Sequence, residues 1–146
     1  MNVDECLTKG LLKKDEKDSG KAANSIRTAE RKLRIAEREF EAKIFESVVV
    51  SAYTAMFHAA RALLYKDGFK ERSHYALCVY VGEKYDGKLE KRFIHELESL
   101  RTERHELMYG IEEEFEVKEN EAKNTIEVAG EFVRAVKKLV SKIPAK

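Results

Sequence analysis

Proline occurs once in this chain, at Pro144, tryptophan not at all, and glycine only seven times in 146 residues. So few chain-breaking residues leave little material for the turns that a many-stranded protein needs. Two cysteines, Cys6 and Cys78, form neither a disulfide framework nor a CxxC pair. The expectation is reduced thiols in a cytoplasmic protein. Charge of one sign is also missing: 28 basic and 27 acidic side chains leave a net charge of +1, so no global field draws in nucleic acid, and such binding would need a local patch. The longest uncharged run, residues 47–60, falls short of the roughly 18–20 apolar residues that cross a bilayer, and the charged N-terminus shows no signal peptide. No membrane association is expected.

What the chain has is helical periodicity. Hydrophobic residues make up 43% and charged residues 38%, the balance of long solvated helices. The spacing predicts a short amphipathic helix over residues 3–14, weakened at Gly10, and a break at Asp18-Ser19-Gly20. From 21 to 43, Ala22, Ile26, Ala29, Leu33, Ala36 and Phe40 recur in four-three steps, small alternating with large, so that a neighbour can approach closely. Residues 45–66 are apolar around most of the circumference and read as the central helix of a bundle, stopped by Gly68. Ser73 is a candidate cap for a helix over 74–85. Two more helices follow, 89–109 and 117–143, the last with a seam of Ala122, Ile126, Ala129, Val133, Val136, Val140 and Ile143. No period-two alternation supports strands. The fold class is therefore all-α: one domain over 1–146, core about 21–143, an antiparallel up-and-down bundle of four to five main helices plus a short N-terminal one.

One residue breaks the pattern. Phe93, Leu97, Leu100, Leu107 and Ile111 share a helix face, and Arg104 falls on it. A guanidinium on an apolar seam must be paired, or aimed at a cleft or a partner. Arg101 precedes it by about one turn, His105 follows it, and Tyr109-Gly110 closes the segment. Arginine suits phosphate oxygens, and histidine or a tyrosine hydroxyl can hold or move a proton beside a phosphodiester. Two readings stand: Arg104 pairs with a glutamate of another helix, or the group binds a nucleotide or RNA. Other chemistry has less support. No GxGxxG, GxxxxGK[ST] or GxSxG occurs, and His58, His74, His95 and His105 lack the spacing of a zinc site, so no metal or cofactor is expected. His58, amid Phe57, Ala59 and Ala60, reads as a hydrogen-bonded core histidine. Basic residues cluster at Arg27, Arg31, Lys32, Arg34 and Arg38 and acidic ones at Glu112, Glu113, Glu114 and Glu116, both expected as solvated faces.

The stretch from Ser51 to Leu64, SAYTAMFHAARALL, resembles the second-helix signature of HEPN-domain proteins, the small all-helical "higher eukaryotes and prokaryotes nucleotide-binding" domains. Gly68 and Ser73-His74 are similar to the stretch before that family's next helix. Arg104 to Tyr109, with four residues between, matches the spacing of the family's arginine–histidine motif, with tyrosine where histidine is usual. The resemblance spans most of the chain from Lys21 to Val140. It implies a bundle that forms a homodimer, with paired arginine motifs meeting in a cleft. It implies Arg104, Tyr109 and His105 as catalytic residues, and Arg101 and Arg104 as nucleotide- or RNA-binding residues. It also implies one of two roles: a metal-independent endoribonuclease toxin, or the nucleotide-binding partner of a separate small nucleotidyltransferase. In some such pairs the nucleotidyltransferase modifies a tyrosine near the motif, and Tyr109 would be the matching position. The alternative is a non-catalytic module that binds a nucleotide or scaffolds a complex.

Overall fold

Among the described residues the chain folds into five main helices and a short N-terminal one, packed around the helix Phe45–Asp67. A computed structural model describes residues 1–110 and 116–141. In chain order these carry α1 (Val3–Thr8), β1 (Leu12–Lys14), α2 (Ser19–Glu41), α3 (Phe45–Asp67), β2 (Phe69–Glu71), α4 (His74–Lys84), α5 (Lys91–Tyr109) and α6 (Glu119–Ser141). The all-α bundle expected from periodicity is what forms. Ile111, the run Glu112–Glu114 and Ile143 lie outside the described residues.

Local chemistry sets the helix ends. Asp18 Oδ1 accepts from the Lys21 amide at 2.9 Å and starts α2, and Ser73 Oγ accepts from the Ala76 amide at 3.0 Å and starts α4. The turn between α2 and α3 is so short that Lys43 takes the left-handed conformation (φ 63°), and these two helices pack as an intimate antiparallel pair. Ala22, Ala29 and Ala36 on α2 are buried, as are Ala52, Ala55, Ala59 and Ala60 on α3, so small residues let the axes close. α6 lies across both helices, while α4 and α5 cover the rest of α3. By length and composition α3 could cross a bilayer, yet 67% of its apolar window is buried inside the protein. It is the helix the others pack around.

The expectation of no strands is corrected in one place. The lead helix expected over 3–14 ends at Thr8, Gly10 turns the chain at φ 74°, and Leu12–Lys14 pairs antiparallel with Phe69–Glu71. The register sets Leu12 opposite Glu71, Lys13 opposite Lys70 and Lys14 opposite Phe69. Three residues are too few for a period-two pattern to register, and the pairing joins segments distant in sequence. Gly68 makes it possible: it caps α3 in the left-handed conformation (φ 87°), and its carbonyl accepts from the Asp15 amide at 2.9 Å. A Cβ there would lie 2.9 Å from the Asp15 carbonyl oxygen.

Candidate phosphate-binding site

The site is built on three helices that meet beside Tyr53. On α3, Tyr53, Phe57 and Arg61 lie four residues apart and so form a stripe along one face. α4 begins against this stripe and α5 runs past its upper end. Tyr53 is 1% exposed, and its hydroxyl is hydrogen-bonded to His74 Nδ1 at 2.7 Å. The His74 ring stacks on Phe57 with centroids 4.3 Å apart. Arg104, from α5, places its guanidinium over the Tyr53 ring, 5.6 Å from the centroid.

Arg104 is half-buried, and among the described residues no carboxylate lies within ion-pairing distance of it. Its seam neighbours Phe93, Leu97 and Leu100 are buried. The arginine therefore stands where the core thins out, held by an aromatic face instead of a counter-ion. Arg101 behaves differently: it forms an ion pair with Glu98 at 2.5 Å within its own helix, and lies 5.8 Å from the centroid of Tyr75. Arg61 sits over Phe57 at 4.5 Å and forms an ion pair with Glu71 at 2.6 Å. Glu71 Oε1 is buried with no hydrogen-bond partner, so Arg61 is what holds this carboxylate.

Two ionisations follow from these surroundings. Burial pushes the Tyr53 hydroxyl above the ordinary tyrosine range, although Arg104 and Arg101 pull against it. Burial pushes His74 below the ordinary histidine range, and Arg104 adds to the effect. Tyr53 is thus a protonated phenol and His74 a neutral imidazole. With Tyr53 as donor, Nδ1 accepts and Nε2 carries the proton. His74 in that tautomer is a further N–H donor, while Arg61 is committed to Glu71 and Arg104 is left as the cation with no ion pair among the described residues. Cys78, the nearby thiol, is pushed up to about 12 by burial and is inert as a nucleophile.

The residues named from sequence do not all gather here. Tyr109 is 58% exposed at the end of α5, and its ring packs on His105, which is also exposed, with centroids 5.1 Å apart. The helix runs unbroken to Tyr109, so positions 104 and 109 point about 140° apart. Arg104 therefore turns toward Tyr53 and Tyr109 toward His105. Gly110 does end the helix, in extended backbone (φ −64°, ψ 135°) and not the left-handed form. Its own amide donates to the Glu106 carbonyl at 2.8 Å, and a Cβ would fall 2.5 Å from that oxygen. His58 is half-buried and edge-on to Phe57, with no hydrogen bond among the described residues, which corrects the reading of it as a hydrogen-bonded core histidine.

Sequence reasoning missed Tyr53, Phe57, Arg61 and His74 as site residues. The available signal was the four-residue repeat of Tyr53, Phe57 and Arg61, together with a histidine directly after the capping Ser73. No cluster of three or more His, Cys, Asp or Glu side chains suited to a metal occurs among the described residues.

Comparison with known proteins agrees with this architecture. The family model for the HEPN domain matches residues 22–139. A "UPF0332 protein" of Archaeoglobus fulgidus is 38% identical over 58 residues, covering 40% of this chain and 46% of that protein, so that match spans about half of the relative's length. A Methanocaldococcus jannaschii protein named "Putative toxin" is 31% identical over 140 residues, covering 92% of this chain and 98% of its own length. The match from α2 through most of α6, with a full-length relative beside it, places this chain in the HEPN domain family.

Proposed function

We propose that this HEPN protein is the toxin or effector half of a two-component system, acting in the cytoplasm on RNA or a nucleotide, with Arg104 as the residue that engages phosphate. The observation that carries the reading is Arg104 itself: a half-buried guanidinium with no counter-ion among the described residues, fixed over Tyr53 beside the His74 imidazole. An uncompensated cation at that position attracts a phosphate oxygen more strongly than one in open water, because its surroundings screen it less. The name of the full-length relative supports the toxin role.

The same reading includes a homodimer. Met108 is 47% exposed one turn beyond Arg104, and Tyr75, packed on Arg101, is 37% exposed. These apolar groups flank the arginines and suit a second copy of the chain. Such a dimer is how Tyr109 and His105 of one protomer would come to act beside Arg104 of the other in RNA cleavage. The test is total RNA incubated with the purified protein in chelator. Cleavage that is lost in Arg104→Ala supports the endoribonuclease reading, and no cleavage by the parent protein counts against it.

One observation favours a second reading. Tyr109 stands exposed at a helix end, away from Arg104 of its own chain, which suits an acceptor of a nucleotide delivered by a small nucleotidyltransferase partner. In that case Arg104 binds a nucleotide without turnover. Intact-mass measurement after incubation with such a partner and nucleoside triphosphate separates the two.

A further inference from the structure

The two-stranded ribbon carries a charge arrangement that packing does not explain. Lys13 and Lys70 are direct cross-strand partners, a placement that repels. Lys14 and Arg72 join them around a cavity of about 510 Å³, whose other lining residues are Asp15 and Glu71. None of the four cations forms an ion pair among the described residues, and Lys13, Lys14, Lys70 and Arg72 are all exposed. Glu71 cannot neutralise them, because its carboxylate is buried and committed to Arg61. Asp15 is the one carboxylate left, and its Oδ1 accepts from the Glu16 amide.

Side-chain contacts join the inner face of the ribbon, where Glu71 lies opposite Leu12, to the site already described. Glu71 links β2 through Arg61 to Phe57, on which His74 stacks, and His74 bonds Tyr53 beneath Arg104. Lys70 shares the outer face with its partner Lys13, and Arg72 follows directly after β2, where its amide donates to the Leu11 carbonyl at 2.8 Å. Cations grouped in this way suit a chain of phosphates. The residues lining the cavity are all charged, with no apolar or aromatic residue among them. Centres of protein–protein interfaces are depleted in lysine and enriched in aromatics, whereas nucleic-acid interfaces are strongly positive.

We propose that the outer face of the β1–β2 ribbon, through Lys13 and Lys70 with Arg72 just beyond β2, binds the phosphate backbone of single-stranded RNA, as a contact surface additional to Arg104. This rests on the reading that the protein acts on RNA. It adds a contact that is independent of sequence and steep in salt.

The test measures binding of a fluorescein-labelled single-stranded RNA to the full chain across a salt series, for the parent protein, Lys13→Gln/Lys70→Gln and Arg104→Ala. The ribbon variant should lose about tenfold in affinity at low salt, and its slope of log K against log salt should flatten by about 1.4, or roughly 0.7 per phosphate contact. Its melting temperature should be unchanged or about 1–3 °C higher, since the repulsion is removed. Unchanged RNA affinity and slope would overturn the proposal, as would absence of RNA binding by the parent protein or a marked fall in melting temperature. Loss of binding to polyglutamate with RNA binding intact would overturn it in favour of an acidic protein partner. If Arg104→Ala still cleaves RNA while the ribbon variant binds it weakly, the function assigned to Arg104 fails and the ribbon stands.

Discussion

The Tyr53 hydroxyl and His74 Nδ1, 2.7 Å apart, join the middle of α3 to the first turn of α4 inside an aromatic stack. The bond fixes the orientation of the imidazole, and it gives a buried phenol the partner it requires. Tyr53→Phe keeps the ring under Arg104 and removes only the bond. It should destabilise the protein by about 1–2 kcal/mol, the effect of leaving a buried nitrogen unpaired, read as a lowered urea midpoint with an unchanged slope.

Arg104 and Tyr109 should be dispensable for folding. Arg104 rests on an aromatic face with no ion pair among the described residues, and the Tyr109 hydroxyl belongs to a ring that is 58% exposed. Arg104→Ala and Tyr109→Phe should each change stability by no more than about 1 kcal/mol. Each should also abolish RNA cleavage, or Tyr109→Phe should abolish partner-dependent nucleotide attachment. A Tyr109→Phe protein that keeps full activity in both assays would make Tyr109 a surface residue without a role.

Acid should weaken the fold before the carboxylates titrate. His58 is pushed down first by burial and then by Arg61, and His74 first by burial and then by Arg104. Both therefore resist protonation when folded, while the unfolded chain takes up protons near the ordinary histidine value of about 6.5. Their contribution is complete above that pH and declines as pH falls through it. Urea midpoints should drop between pH 7.5 and 5.5, and His58→Gln/His74→Gln should flatten the decline. An equal slope in the double variant would assign the pH dependence to other groups.

Gly68 should be intolerant of a side chain. It combines φ 87° with a Cβ position 2.9 Å from the Asp15 carbonyl oxygen, at the point where β1 joins β2. Gly68→Ala should cost about 1–3 kcal/mol through strain and displaced pairing. Hydrogen exchange would report faster amide exchange at Asp15 and along the ribbon, and native protection there would refute the account.

Sequence by itself determined the helices. Each long seam, such as Ala22 to Phe40 on α2 and Ala122 to Val140 on α6, repeats at the period of one helix face, and the periodic burial that drives packing is written directly in residue type. Capping at Ser73 and the stop at Gly68 were legible for the same reason, since each depends on one residue and its nearest neighbours. The anomaly of Arg104 was legible too, as a charge on an apolar stripe. Tertiary structure decided what that charge meets: Tyr53 and His74 come from two other helices, and no local pattern in α5 encodes them. It also separated Arg104 from Tyr109, because an unbroken helix fixes their directions whatever motif they spell. The ribbon of β1 and β2 was invisible for a related reason. Three-residue strands carry no period of their own, and their pairing exists only because α3, capped by Gly68, returns the chain beside residues 12–14.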